Sequence, residues 1–76
     1  MAPKLVLLNA KELAKILGKM GFELLRREGS HAFFRHPDGR TTVVPFHSGE
    51  QIDRGLLNKI IKKDLRVARE EFEKYL

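Results

Sequence analysis

Three histidines, His31, His36 and His47, are the residues most suited to chemistry at neutral pH, because the unperturbed pKa of histidine is about 6.5. His31 follows the turn-forming pair Gly29-Ser30 and begins a strand-like run. One reaction that histidines can catalyse by proton transfer is the cleavage of an RNA strand. This reaction needs a general acid, a general base and cations on the phosphate. We therefore take His31 as the candidate catalytic residue and His47 as a candidate second proton carrier. From the pattern alone, His31 as an ordinary exposed strand residue stays open.

Metal binding and nucleophilic catalysis by serine fit these residues less well. His31 and His36 are an odd number of positions apart, so a strand would point them to opposite faces. With no cysteine in the chain, we expect no metal site and no cofactor. Ser30 next to a histidine in sequence is not a catalytic dyad, and Gly29 and Ser30 are interpreted as turn residues that support His31. We expect His36 to cap or pack against the Pro-Asp-Gly-Arg turn that follows it.

The chain is basic, with 15 Lys and Arg against 10 Asp and Glu, a formal charge of +5. Such a surplus on a small protein favours nucleic acid or an acidic protein as the partner. Arg35 shares the predicted strand face of His31, where it is expected to clamp phosphate. The basic residues expected beside the sheet and the second helix are Arg26, Arg27, Arg35, Arg40, Lys59, Lys62 and Lys63. From these, Arg27, Arg35, Arg40, Lys62 and Lys63 are selected as RNA-binding or supporting residues.

The elements that must position these residues follow the order α-β-β-β-α-α. A helix is predicted over 10–20 from three signals. These are a capping box at Asn9 and Glu12, apolar residues at helical spacing, and Gly21 as the residue that ends the helix. Strands are predicted over 22–28, 31–36 and 41–46, a helix after Asp53 as its cap, and a short helix within 67–76. Pro45 indicates that the third strand is an edge strand.

The dipeptide Asp38-Gly39 predicts a two-residue type I′ hairpin. In that register Phe34 lies opposite Val43. One face then carries His31, Phe33 and Arg35 together with Thr42, Val44 and Phe46. A three-stranded antiparallel sheet of this size is covered by helices on one face only, and we assign the His31 face outward because it has more polar atoms. The expected class is α+β.

Length and composition bound the remaining possibilities. We expect one domain over residues 1–76, with 1–8 as an extended segment. The absence of cysteine fits a reducing, intracellular compartment. The first apolar run is too short for a signal peptide or a membrane span, so a soluble, cytoplasmic protein is expected.

Several runs of this sequence together resemble the HicA toxin family of toxin–antitoxin systems. The resemblance covers Asn9 to Phe72 in order. It is carried by Gly-Phe-Glu-Leu-Leu-Arg-Arg-Glu-Gly-Ser-His at 21–31, Phe-Arg-His-Pro-Asp-Gly-Arg at 34–40, Pro-Phe-His-Ser-Gly-Glu at 45–50 and Arg-Gly-Leu-Leu-Asn-Lys-Ile-Ile at 54–61. The combined pattern is specific, whereas Gly-Ser-His alone is not.

The resemblance implies a dsRBD-like fold, α-β-β-β-α with a short extra C-terminal helix. It implies an mRNA interferase, a metal-independent endoribonuclease that is neutralised by a HicB-type antitoxin. Such a toxin is expected to be a monomer when free and a hetero-complex with its antitoxin. The family's catalytic histidine, in the Gly-Ser-His motif, corresponds to His31. A non-catalytic RNA-binding module on the same fold, or a protein-interaction domain, are the alternative interpretations.

The chain departs from the usual family pattern at four positions. Ala32 replaces a bulkier or polar residue, which is expected to alter RNA contacts, and Leu56 stands where Thr is common. Arg66 and Ala68 stand in place of a helix-stop Gly and a helix-capping Ser. We expect the other three departures to affect mainly local stability, by about 1 kcal/mol for a missing cap.

Overall fold

The computed structural model describes residues 8–46 and 51–76 and has the predicted α+β order. Its elements are α1 (Ala10–Met20), β1 (Glu23–Glu28), β2 (His31–Arg35), β3 (Thr41–Pro45), α2 (Arg54–Lys59), a π-helical segment (Ile60–Leu65, here the π segment) and α3 (Arg69–Glu73). Among the described helices, none is long and apolar enough to cross a membrane.

Local sequence signals set both ends of α1, as predicted. The Glu12 N–H donates to Asn9 Oδ1 at 2.8 Å, and the Asn9 N–H donates to Glu12 Oε1 at 2.9 Å, which completes the capping box. Gly21 ends the helix at φ 99°, in the left-handed region. A Cβ at Gly21 would lie 3.0 Å from His36 Nε2, so both backbone conformation and space favour glycine there.

The three strands form one antiparallel sheet in the order β1-β2-β3. Gly29 and Ser30 connect β1 to β2 as a two-residue turn, since Glu28 pairs with His31. Gly29 has φ 57°, which suits a turn that needs positive φ at its first central position. β3 lies at the sheet edge, as Pro45 indicated. Leu24 and Leu25, two successive apolar residues, interrupt the alternation of β1, and a β-bulge lies between Leu24 and Arg26.

The predicted two-residue hairpin between β2 and β3 is wrong by one position. The His36 N–H donates to the Arg40 carbonyl and the Gly39 N–H to the His36 carbonyl, which leaves a three-residue loop over 37–39. Pro37 explains the difference, because a two-residue loop would require its missing N–H to close the hairpin. A type I′ turn also needs positive φ at both central residues, and of the two only Gly39 has it, at 102°.

This register reverses the predicted faces of β3. Phe34 pairs with Thr42 instead of Val43, and Ala32 pairs with Val44. Thr42 and Val44 are buried with Ala32 and Phe34, contrary to the prediction that they point outward. Thr41, Val43 and Pro45 share the open face with Arg35, Phe33 and His31, the β2 residues that were predicted there correctly.

Helices cover the sheet on one face, as predicted, and leave β1 uncovered. α1 and the π segment pack against β3, and α3 packs against the π segment. The fully buried core side chains are Leu13, Leu17, Val44, Leu57, Ile60, Ile61, Leu65 and Phe72. All six residues of β1 are exposed. Phe46, predicted to lie on the outward face, packs against this core instead. Ala32 is buried under the helices, so its small size affects core packing and not the RNA contacts that we expected it to alter.

The second helix begins as predicted and then changes geometry. Asp53 accepts from the N–H groups of Gly55 and Leu56, which caps α2. From Ile60 the chain continues as the π segment, where the Arg66 N–H donates to the Ile61 carbonyl, an i to i+5 bond. The segment ends at Arg66, which has φ 58° and ψ 42°. An arginine therefore occupies the left-handed position that favours glycine.

Replacing Arg66 by Gly should raise the free energy of unfolding by about 0.5–1 kcal/mol, because glycine adopts positive φ without the Cβ strain. Urea denaturation of both proteins measures the difference. Lys15→Gly, in the middle of α1, is the matched control and should lower stability by about 1 kcal/mol. An unchanged or lower stability of Arg66→Gly would contradict the strain at this position.

Ala68 precedes α3 with extended φ −71° and ψ 154° and has no side-chain oxygen to accept a hydrogen bond. Ala68→Ser should stabilise the protein by about 1 kcal/mol, because the hydroxyl can accept a free N–H of the first helical turn. The thermal midpoint and urea unfolding measure the gain. Ala68→Val, which lacks an acceptor, should not stabilise; an equal gain from both substitutions would contradict capping as the cause.

Candidate active site

His31 is exposed at the first position of β2, where three segments meet. Glu28 of β1 and Pro45 of β3 lie directly opposite it on its two sides. The carbonyl of Ser30 accepts a hydrogen bond from the Phe46 N–H, which ties the turn before His31 to the end of β3. The backbone of His31 is therefore held on both sides while its imidazole faces solvent.

A groove of about 590 Å³ runs along the outer edge of β3 and includes His31 in its wall. One wall is β3, and the other is α2 with the π segment. The residues that line it are His31, Thr41, Thr42, Val43, Pro45, Leu56, Lys59, Ile60 and Asp64. Lys59 is the lysine among these lining residues, whereas Lys62 and Lys63, selected from the sequence, are exposed and lie outside the lining.

A short chain of polar contacts crosses this groove from the sheet to the helix. The Thr42 hydroxyl donates to Asp64 Oδ2 at 2.9 Å, and the other oxygen of that carboxylate lies 3.9 Å from Lys59 Nζ. Thr42 is only 3% exposed, so Asp64 satisfies a buried hydroxyl. The sequence placed Lys59 among the basic residues beside the sheet, although not among the selected RNA-binding residues. It missed Thr42, because the wrong register placed this residue on the opposite face, and Asp64, because an α-helix does not bring residues five apart together.

The open face of the sheet carries a second polar row beside His31. The Arg26 guanidinium lies 4.3 Å from the centroid of the Phe33 ring and donates to Glu28 Oε2 at 2.8 Å. Arg35 is on the same face as His31, as predicted, but four residues along the strand, about 13 Å away. At this separation the imidazole of His31 and the guanidinium of Arg35 are better placed to contact two different phosphates than one. A clamp by Arg35 would therefore act on a neighbouring phosphate.

Two predicted RNA-binding arginines are not brought to His31. Arg27 pairs with Ala32, on the side of the sheet that the helices cover, and its guanidinium lies 4.5 Å from the Phe46 ring centroid. Arg40 is bonded to Asp38 at 2.8 Å and donates to the Leu65 carbonyl. Its side chain is 19% exposed, so its contacts are those of a residue that joins the hairpin loop to the π segment.

His36 has the packing role predicted for it. Its ring lies 5.1 Å from the Phe22 ring in an edge-on arrangement. Nδ1 lies 3.1 Å from the Asp38 backbone nitrogen and 3.0 Å from Asp38 Oδ1. A neutral Nδ1 accepts from the backbone N–H, and a protonated one donates to the carboxylate. His47 lies outside the described residues, and within 8–46 and 51–76 no three His, Cys, Asp or Glu side chains converge as metal ligands.

The hairpin loop favours a charged Asp38. The Arg40 backbone N–H donates to Asp38 Oδ1 at 3.0 Å, and this bond is the largest cause that lowers the pKa of Asp38 below its ordinary value. Desolvation opposes the shift, while the charges of Arg40 and His36 add to it. Because the folded-state pKa is depressed, the charged carboxylate stabilises the fold at neutral pH and loses this effect as pH falls through the folded-state value.

Comparison with known protein families finds a match that includes the site. A family model described as the HicA toxin of bacterial toxin-antitoxin matches residues 10–65, which span α1 through the π segment and include His31. Arg66, Ala68 and α3 lie beyond the matched range. No curated protein matches the chain in a sequence search.

Asp38→Asn should destabilise the protein at pH 7, because the amide keeps the shape of the carboxylate but loses its charge beside Arg40. The difference from wild type should shrink as pH falls below about 4, where an ordinary carboxylate begins to protonate. Urea unfolding of both proteins at pH 7 and at several acidic values measures it. A stability difference that stays constant over this pH range would contradict the lowered pKa.

Proposed function

The chain belongs to the HicA toxin family of bacterial toxin–antitoxin systems, and we propose that it cleaves mRNA with His31 as general acid or base. The toxins of this family are known as mRNA interferases. The observation that carries the assignment to His31 is its exposed imidazole at the wall of the β3 groove, on a backbone fixed from both sides. His36 has its Nδ1 occupied by the hairpin loop and its ring packed on Phe22.

The chemistry requires proton transfer at two oxygens. The ribose 2′-oxygen attacks the adjacent phosphorus while the bond from phosphorus to the 5′-oxygen breaks, which leaves a 2′,3′-cyclic phosphate and a 5′-hydroxyl. A neutral His31 imidazole takes the 2′-hydroxyl proton, or its protonated form gives a proton to the leaving 5′-oxygen. His31 makes one of these two transfers and a second proton carrier, for which His47 is the candidate, makes the other, so the protons balance and no redox partner is needed. A metal-independent reaction is part of the proposal.

The turn before His31 supports this role by position. Gly29 supplies the positive φ that lets β1 return directly as β2, and the Ser30 carbonyl fixes the turn to Phe46. These contacts restrain the strand that carries the imidazole, which is the kind of preorganisation that proton transfer needs. His47 remains a candidate second proton carrier, and Arg35 a candidate ligand for a neighbouring phosphate.

Membership of a toxin–antitoxin family implies an antitoxin partner. We propose a HicB-type antitoxin that binds this toxin as a hetero-complex, with the toxin monomeric when free. The formal charge of +5 supports a partner with an acidic surface, because complementary charge speeds and orients association.

His31→Ala should reduce RNA cleavage by about 10²- to 10⁴-fold, the usual contribution of a general acid or base. Cleavage of a labelled RNA and growth arrest on induced expression measure the loss, after circular dichroism has confirmed the fold. His36→Gln is the matched control: it should lower stability but keep cleavage per folded molecule close to that of wild type.

Cleavage should persist in EDTA, and loss of cutting with EDTA would contradict the metal-independent mechanism. If His31→Ala cuts at the wild-type rate, the assignment of His31 is wrong. If the wild type binds RNA and does not cut it, the chain is a non-catalytic RNA-binding module instead.

A further inference from the structure

The groove beside His31 contains a lysine that the proposed chemistry does not use. We propose that Lys59 binds a backbone phosphate of the RNA, so that a single strand lies along the outer edge of β3 and leads its scissile bond to His31. This inference rests on the proposed function, since it takes RNA as the substrate. It assigns a path for the strand and a positioning residue within the groove.

The π segment places Lys59 next to Asp64. In an α-helix, residues five apart lie about 140° apart around the axis, since each residue advances by about 100°. Asp64 Oδ1 is nevertheless 3.9 Å from Lys59 Nζ. The wider turn, with its i to i+5 hydrogen bond, brings such residues to one side of the helix. An unbroken α-helix would turn Asp64 away from Lys59.

Asp64 is itself fixed to the sheet. Its Oδ2 accepts from the Thr42 hydroxyl at 2.9 Å, and Thr42 is buried in β3. The carboxylate therefore has one oxygen directed at β3 and the other at Lys59. Because an ammonium group carries three donors and the Lys59 side chain is 58% exposed, donors of Lys59 stay available to a phosphate in the groove.

Lys59 and His31 line the same groove at different positions along β3. Pro45 lies opposite His31, and Thr42, at the Lys59 end of the groove, is three residues along β3, about 10 Å away. Lys59 would therefore bind a phosphate other than the one that is cleaved. The groove wall between these points includes the apolar side chains of Leu56 and Ile60, against which sugars and base faces of a single strand can pack.

Lys59 lines the groove, whereas the two lysines of the π segment do not. Lys62 and Lys63 are exposed, but they do not line the groove that contains His31. They can strengthen association with any polyanion through long-range attraction. Only a residue in the groove fixes where the strand lies relative to His31, and such a residue should affect the apparent affinity of the substrate more than the rate of its chemistry.

The test measures binding of a short fluorescein-labelled single-stranded RNA by anisotropy, in a His31→Ala background that prevents cleavage. Adding Lys59→Ala should weaken binding several-fold at low salt. The slope of log K against log salt concentration should decrease in magnitude by about 0.7, the value for one phosphate contact on a single strand. Lys59→Arg should keep most of the affinity, since it also donates to phosphate.

Lys11→Ala is the matched control, because it removes the same charge from an exposed position on α1. It should leave affinity close to that of the His31→Ala parent. Thermal unfolding checks that each variant folds. In the active protein, Lys59→Ala should raise KM for RNA cleavage and change kcat much less, whereas a merely structural defect would lower the folded fraction and leave KM unchanged.

The two proposals fail in different ways. If Lys59→Ala and Lys11→Ala reduce RNA affinity and its salt slope equally, Lys59 is not a groove ligand, while cleavage that depends on His31 still stands. If the His31→Ala protein binds no RNA and the wild type cuts none, the proposed function fails and the groove assignment fails with it.

Discussion

The register of β3 against β2 is the constraint on which the site depends. Pro37 lacks the N–H that a two-residue hairpin would use, so the loop extends over 37–39 and every β3 residue moves by one position. Thr42 then points under the helices, where it bonds Asp64, and Pro45 lies opposite His31. A register one residue different would point Thr42 to solvent and remove the link from sheet to π segment.

The π segment has a local cost that the core offsets. Its end requires Arg66 in the left-handed region, and the following helix α3 starts without a side-chain cap. Both features destabilise locally, by about 1 kcal/mol each. Leu65 and Phe72, on either side of this connection, are fully buried, and burial of such side chains contributes about 1.5–3 kcal/mol each. The wide turn therefore persists and keeps Lys59 and Asp64 together.

Three of the arginines make contacts within the fold. The guanidinium groups of Arg26, Arg27 and Arg40 each lie over an aromatic ring, at 4.3, 4.5 and 5.2 Å from its centroid. Arg26 and Arg40 also form ion pairs with carboxylates. The composition correctly indicated a basic protein, but counting charges did not distinguish cations that hold strands and loops from cations available to a phosphate backbone.

The sequence by itself determined the order of elements, both ends of α1 and the cap of α2, because each depends on residues within a few positions of one another. It also assigned the His31 face of β2 outward from its polar side chains, and the exposure of His31 agrees with that assignment. The resemblance to the family indicated Arg66 and Ala68 as unusual helix-end residues, and the structure places both at helix ends. The β3 register was also within reach of the sequence, because Pro37 lacks the N–H that a two-residue hairpin needs, although the pair Asp38-Gly39 predicted that hairpin. Only the tertiary structure decided the π turn and the groove that joins His31 to Lys59. Those features depend on contacts between residues distant in sequence, such as Thr42 with Asp64 and Arg40 with Leu65, whose geometry no local pattern specifies.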